Sequence, residues 1–278
     1  MTYRNFWTAL MQCYDEGEAK AIARRVYEDV FCLSFADICM GADAELSERQ
    51  QKECKHILGR LLNNEPLQYV LGTASFFGRQ FRVAQGVLIP RPETEELCQL
   101  CISHFSECSS NLSVLDIGTG SGCIAITLAL QLPESKVEAW DISDSALAIA
   151  SDNASRLNAR VDFRKHDALN PPADVDKWDA IVSNPPYICN EESGQMEKNV
   201  LLYEPPTALF VPDDNPLLFY SAIARYAIKA LRQGGILLFE INPRFASDME
   251  KMLAGCGFTD IEIHLDQFSR ERMISCNK

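Results

Sequence analysis

The spacing of apolar residues changes twice along the chain. From residue 1 to about residue 72 they recur at helical intervals, through Phe6, Leu10 and Cys13, then Ile22, Val26, Val30 and Leu33. A third run passes through Cys54, Ile57, Leu58, Leu61 and Leu62, and Ser47 followed by Gln50 fits a capping box at its start. Gly17, Gly41 and Asn63-Asn64 punctuate the stretch, and no strand pattern interrupts it. Residues 1–72 are therefore expected to form a small helical bundle. It carries no chemistry of its own and suits the docking of a partner.

The pattern then turns β-like. Short runs at 75–77, 80–83 and 87–89 lie between glycines and predict a β-hairpin linker over 73–92. Arg91, between Pro90 and Pro92, is presented on a stiff turn. A helix follows from Glu93 to Cys108, closed by Ser109 to Asn111.

From Leu112 strands and helices alternate. Strands are predicted over 112–117, 136–140, 161–165, 178–183, 235–241, 258–264 and 271–276. Helices are predicted over 121–132, 143–157, 216–232 and 245–254, with a long loop after Tyr187. Such alternation predicts an α/β domain over 93–278, a mostly parallel sheet covered by helices on both faces. Ligands of these sheets bind beyond the carboxyl ends of the strands.

Composition adds limits. The 278 residues are 47% hydrophobic and 23% charged, as in an ordinary globular protein. No apolar run approaches the roughly 20 residues needed to cross a bilayer, and Met1 to Gln12 lacks a signal-peptide pattern. A net charge of −13, with Lys and Arg scattered, argues against a protein that clamps long stretches of nucleic acid. Eleven cysteines without a secretory signal suggest free thiols and a cytoplasmic location. Cys98, Cys101, His104 and Cys108 share one helical face, a spacing open to a metal reading. The same face holds Leu97, Leu100 and Phe105, so a buried stripe is expected instead, and no metal.

Two stretches carry chemistry. After the apolar pair Ile181-Val182 come Ser183-Asn184-Pro185-Pro186-Tyr187. The prolines force the backbone out of the sheet as an extended loop. That loop gathers the Asn184 amide, the Pro185 carbonyl and the Tyr187 ring into one small volume. An amide oxygen and a carbonyl can accept both hydrogens of a planar NH2 group while a ring packs on its face. Taken alone, the motif is equally a strand-ending turn.

The second stretch is Leu115-Asp116-Ile117-Gly118-Thr119-Gly120-Ser121-Gly122, which leaves a strand and opens a helix. Its glycines allow a sharp turn and close approach to a ligand. Asp141 ends the next strand, placed to accept from ribose hydroxyls, which alone would also fit a dinucleotide site. However, the spacing is G-x-G-x-G, and an acid before the loop suits a cationic ligand such as S-adenosyl-L-methionine. His166-Asp167 ends the third strand, where Asp167 is expected to accept from an adenine amino group. Each acid by itself is equally a cap or a solvated loop residue, but four such features stand at four successive strand ends.

Together these segments resemble the class I methyltransferases. PLQYVLG, LIPRPETEEL, LDIGTGSGCIAI, VSNPPYI and YEPPTALF are more narrowly similar to the protein-(glutamine-N5) methyltransferases of peptide chain release factors. The resemblance runs from about Pro66 to the C-terminus. It implies a Rossmann-like fold and methyl transfer from S-adenosyl-L-methionine to a glutamine side-chain amide of a release factor, modulating translation termination. It also implies S-adenosyl-L-homocysteine as product, a protein partner, and no nucleic-acid substrate. Carried over by position, the cofactor contacts are Asp116, Gly118, Thr119, Gly120, Ser121, Gly122, Asp141, Asp167, Ala168 and Asn184. The substrate grip is Asn184, Pro185, Pro186 and Tyr187, with Asn184, Pro185 and Tyr187 the catalytic group. Ala168 stands where some relatives have an aromatic, and Ser269 where many have glycine. An adenine-N6 nucleic-acid methyltransferase, gripping a flipped base in the same motif, is the alternative.

Overall fold

The computed structural model describes residues 1–105 and 111–278. They divide into two compact units, Met1–Thr73 with Met196–Tyr203, and Ala74–Gln195 with Glu204–Lys278.

The first unit holds α1 (Tyr3–Leu10), α2 (Glu16–Phe31), α3 (Phe35–Cys39), α4 (Glu48–Leu62) and α5 (Leu67–Leu71). The first four start where the sequence offers a cap. The side chains of Thr2, Asp15, Ser34 and Ser47 each accept a first-turn amide, and Ser47 with Gln50 forms the expected capping box. Phe6, Leu10, Val26, Tyr27, Cys54, Ile57 and Leu61 meet in one core. Cys13 falls outside that stripe, because α1 ends at Leu10 and the thiol is exposed in the following turn. The helical segment Lys198–Tyr203 joins the same unit, and Tyr203 donates its hydroxyl to the Asn63 carbonyl at 2.9 Å.

A hairpin follows, β1 (Thr73–Phe76) and β2 (Arg79–Arg82). Its two-residue turn, Phe77-Gly78, has φ of 48° and 71°, the left-handed pair that matches strand twist. The expected third run at 87–89 forms no strand. The Ile89 amide donates instead to the Glu204 side chain at 3.1 Å. α6 spans Pro92–His104, with Pro92 at its first position where a missing N–H does no harm. The helix ends at His104 with Phe105 as its cap, and the rest of the helix expected to Cys108, with the closing Ser109 and Ser110, lies outside the described residues.

Next come β3 (Ser113–Ile117), α7 (Cys123–Gln131), β4 (Lys136–Asp141), α8 (Asp144–Leu157), β5 (Val161–Lys165) and β6 (Trp178–Ser183). The stretch expected as plain loop contains β7 (Ile188–Cys189), α9 (Lys198–Tyr203), α10 (Pro206–Leu209) and β8 (Phe210–Val211). Then follow α11 (Leu218–Ala230), β9 (Leu231–Glu240), α12 (Ala246–Cys256), β10 (Thr259–Leu265) and β11 (Glu271–Asn277). β9 starts four residues before Gly235, since Leu231 already pairs with Trp178. The expected helix over 216–232 ends correspondingly early.

The main sheet has the order β10-β11-β9-β6-β3-β4-β5, parallel from β9 to β5, with β11 antiparallel to both neighbours. Alternate residues feed two cores. Leu115, Ile117, Ile181, Leu237 and Phe239 pack with α11 and α12, whereas Val114, Ala180, Val182 and Leu238 pack with α6 and α7. This is the expected α/β architecture. Strand order reverses between β3 and β6, the place where such sheets open a crevice. Ile117 stands level with Ser183 on one side and Trp140 on the other, so the motif loops leave the sheet together. Among the described residues no helix is long and apolar enough to cross a membrane.

Candidate active site

β3 ends by burying a carboxylate. Asp116 is fully buried, and its Oδ2 accepts from the Thr119 hydroxyl at 2.7 Å and the Ala125 amide at 3.2 Å. Its Oδ1 is buried without a partner. Burial pushes this carboxyl up to about 7, against the pull of those two donors. The next residues fold over the strand end, with the Gly118 and Thr119 amides both donating to the Trp140 carbonyl at 2.9 Å. Gly118, Gly120 and Gly122 all have positive φ, and a Cβ on Gly122 would come within 2.9 Å of Ile126 Cδ1. The Thr119 and Ser121 side chains are buried, so these two residues face the interior.

Neighbouring strand ends are tied to this loop. Asp141 accepts the Gly120 amide on Oδ2 and the Ser143 amide on Oδ1, each at 2.9 Å. The His166 amide donates to the Asp141 carbonyl at 3.1 Å, which joins the end of β5 to the end of β4. Buried Asn153 on α8 accepts the Arg82 amide and donates to the Arg82 and Ser121 carbonyls, linking the hairpin to the glycine loop. Asp167 spends both oxygens on its own turn, accepting the Leu169 amide and the Asn170 side chain. Ala168 is half-buried against the Trp140 core.

The Asn184–Tyr187 loop leaves β6 beside the glycine loop, the Asn184 carbonyl lying 4.0 Å from where a Gly118 Cβ would stand. Pro185 is buried, with Asn184, Pro186 and Tyr187 half-buried. The Asn184 Nδ2 donates to Thr94 Oγ1 at 3.3 Å, and Thr94 Oγ1 donates to Glu240 Oε2 at 2.6 Å. The Tyr187 hydroxyl donates to Glu240 Oε1 at 3.0 Å, and the Tyr220 hydroxyl to the Glu240 carbonyl at 2.9 Å. Burial raises the Tyr187 hydroxyl far above its ordinary value, with the nearby Glu240 charge adding to it. Glu240 is itself raised by burial, opposed by Thr94, Tyr187 and the Arg272 charge. Nearby, Arg91 pairs with buried Glu204 at 2.5 Å, anchoring the Pro90–Pro92 turn.

The N-terminal residues 3–72 match the family model for the PrmC N-terminal domain, and residues 93–210 match the Methyltransferase small domain. The release factor glutamine methyltransferase of Bacteroides thetaiotaomicron is 45% identical, over 97% of this chain and 96% of that protein. The protein of the same name from Flavobacterium psychrophilum is 40% identical, over 98% and 96%. The chain belongs to the release factor glutamine methyltransferase family. A methyltransferase from Pyrococcus furiosus shares the fold, at a TM-score of 0.54 and 16% identity, covering 79% of this chain and 96% of that one.

Several features of this glutamine methyltransferase family member fit S-adenosyl-L-methionine. The unpartnered Asp116 Oδ1 is an acceptor for a cation, and a Cβ on Gly120 would stand in open space, whereas Gly122 is required by its packing on Ile126 and Ala150. Asp141 retains lone pairs for ribose hydroxyls on both oxygens. Ser269, where the family resemblance leads to the expectation of glycine, adopts φ +60°, a conformation glycine reaches freely. Thr94 lies within the LIPRPETEEL segment but was given no role there, and Glu240 lies in none of the motifs, although both touch the Asn184–Tyr187 loop. Glu240 does carry a signal, an acid closing an apolar strand, as Asp116 and Asp141 do. Of the cysteine face, Cys98 and Cys101 are core residues, their thiols raised by burial, whereas His104 is exposed. Cys108 lies outside the described residues.

Proposed function

We propose that the protein transfers a methyl group from S-adenosyl-L-methionine to the side-chain amide nitrogen of a glutamine in a peptide chain release factor, in the cytoplasm where translation terminates. What supports this most is the adjacency of the Asn184–Tyr187 grip and the glycine loop, in a chain of this family.

An amide nitrogen is a weak nucleophile because its lone pair is delocalised into the carbonyl. Asn184 Oδ1 and the Pro185 carbonyl accept its two hydrogens and favour a pyramidal nitrogen with the lone pair aimed forward. Tyr187 packs on the amide face, and Pro186 keeps the loop stiff. Asp116, Gly118 to Gly122, Asp141 and the Asp167–Ala168 turn hold the cofactor. Once bound, it supplies an electrophilic methyl on a sulfonium and leaves as S-adenosyl-L-homocysteine. The chain's contribution is positioning and electrostatic stabilisation. The methylated nitrogen is acidic and loses its proton without a strong general base. Incubation with radiolabelled S-adenosyl-L-methionine and either a release factor or DNA is the test. Label in the release factor alone supports the reading, and label in DNA alone supports the adenine alternative.

The helical unit is assigned to docking of the folded factor, since every cofactor residue named above lies after Ser113. A variant with residues 1–72 and 196–203 replaced should keep cofactor affinity and lose turnover of the folded factor. Unchanged turnover by a folded variant refutes the docking role.

A further inference from the structure

We infer that Glu240 is a positioning residue that fixes which way round the Asn184 side-chain amide faces, acting through the Thr94 hydroxyl. The inference rests on the methyl-transfer reading above and extends it to residues that touch neither cofactor nor substrate.

The number of hydrogens available at Glu240 and Thr94 decides the orientation. An ionised carboxylate has none to donate, so both Glu240 oxygens can only accept. Thr94 owns a single hydroxyl hydrogen, and at 2.6 Å from Glu240 Oε2 that hydrogen is committed to the carboxylate. Towards Asn184, then, Thr94 Oγ1 can act only as an acceptor. The amide must turn its NH2 to Thr94, as the 3.3 Å contact from Nδ2 has it. Oδ1 is thereby left facing away from Thr94, free to take a hydrogen of the acceptor amide. Reversed, the side chain would present an NH2 to another NH2 and could grip nothing.

The second oxygen does the same for the ring. Tyr187 commits its hydroxyl hydrogen to Glu240 Oε1 at 3.0 Å. One buried carboxylate thus sets the polarity of both side chains of the grip. A carboxylate buried at this depth is unfavourable unless it is hydrogen-bonded, and each of its oxygens has a donor, Thr94 on α6 and Tyr187 after β6.

Protonation would undo the device. A neutral Glu240 carries its own hydrogen, can donate to Thr94, and frees the Thr94 hydroxyl to donate to Asn184 Oδ1. The groups that face Glu240 are Glu93 and Thr94 on α6, Cys123 on α7, Tyr187 after β6, Tyr220 on α11 and Arg272 on β11. Of these, the Thr94 and Tyr187 hydrogen bonds and then the Arg272 charge favour the ionised form, and Glu93 opposes it.

Three variants of the full-length protein test this, after the wild type has been shown to methylate a release factor. Failure at that first step would overturn the functional reading itself. Glu240→Gln supplies a hydrogen in nearly the same volume, and Thr94→Val removes the relay. Each should lower kcat by about 100-fold or more, the scale of losing one aligned catalytic dipole, with cofactor Kd within about threefold. Thr94→Ser keeps the hydroxyl and should restore kcat to within about tenfold. Wild-type and Thr94→Ser kcat should fall with acid as Glu240 takes up its proton, whereas Thr94→Val should keep only the shallower part of that limb that Tyr187 carries. A kcat within twofold of wild type in Glu240→Gln, or an acid limb intact in Thr94→Val, overturns the proposal. Should Glu240→Gln not fold, the Thr94 pair decides alone.

Discussion

The Gly120 amide donates to Asp141 Oδ2 at 2.9 Å, so the acid ending β4 is a strut of the loop that leaves β3. Its removal has two effects at once. Asp141→Ala takes a charged acceptor from the ribose and frees the glycine loop. Hydrogen bonds to charged groups contribute about 1.5–3 kcal/mol, so cofactor affinity should fall roughly 10- to 100-fold. Asp141→Asn keeps an acceptor for Gly120 and should fall between the two. Calorimetric titration measures both, and unchanged affinity in Asp141→Ala takes the residue out of the site.

Asp116 sets a pH dependence. Folding lifts its carboxyl from 3.8 to about 7, so the folded state binds this proton more tightly than the unfolded chain does. The resulting contribution to stability is complete below 3.8 and is lost as pH climbs to about 7. Above that, ionising the buried group costs the apoprotein about 4 kcal/mol. Asp116→Asn should therefore melt higher than wild type at pH 8 without cofactor, yet bind cofactor more weakly. Wild-type affinity should rise between about pH 6 and pH 8 as the carboxylate forms. A flat binding profile over that range would remove the cation-holding role.

Gly122 and Gly41 separate steric from conformational strain. Both have positive φ, but a Cβ on Gly122 would meet Ile126 and Ala150, whereas one on Gly41 would meet nothing within 4 Å. Gly41→Ala should destabilise by about 1–2 kcal/mol, and Gly122→Ala by about 1–3 kcal/mol more. Urea titration of the two variants reads the difference, and equal midpoints would show that the loop yields at no cost.

Asn184→Ala should abolish methyl transfer with little effect on cofactor binding. Asn184→Asp is the finer probe. Its carboxylate keeps an acceptor towards the substrate but loses the NH2 that Thr94 accepts. It also brings a full negative charge to the site. If grip on the substrate hydrogens dominates, Asp retains measurably more activity than Ala. If orientation or neutrality dominates, both are equally inactive. Mass-shift assays of a release factor at saturating cofactor distinguish these outcomes, and near-wild-type turnover by Asn184→Ala would sink the mechanism.

The sheet was legible because its central strands are apolar runs buried on both faces, as Trp178–Ser183 is, and because strand and helix patterns alternate along the chain. Val161–Lys165 and Trp178–Ser183 form at the residues that the pattern predicted. The capping box at Ser47 was equally readable, being a local hydrogen-bond exchange. What stayed hidden depends on contacts far apart in sequence. The two-residue strands Ile188–Cys189 and Phe210–Val211 are too short for any period and exist only through each other. Val87–Ile89 has strand-like composition, yet its Ile89 amide is taken by Glu204, 115 residues away. In the site, the glycine loop and Asn184–Tyr187 could be named from neighbours in sequence. The link from Asn184 through Thr94 to Glu240 crosses three elements and leaves no spacing to read.

The membership of Met196–Tyr203 in the helical unit has a consequence for recombination between relatives. The stretch of chain that matches the Methyltransferase small domain, 93–210, contains this segment, although it is part of the other compact body. A chimaera joined once, near Thr73, would give one parent's helices the other parent's Lys198–Tyr203. At Tyr203, whose hydroxyl reaches the Asn63 carbonyl, the mismatch would fall within a single fold. Exchange of the helical unit between two such enzymes therefore calls for three junctions, one near residue 73 and one on each side of 196–203.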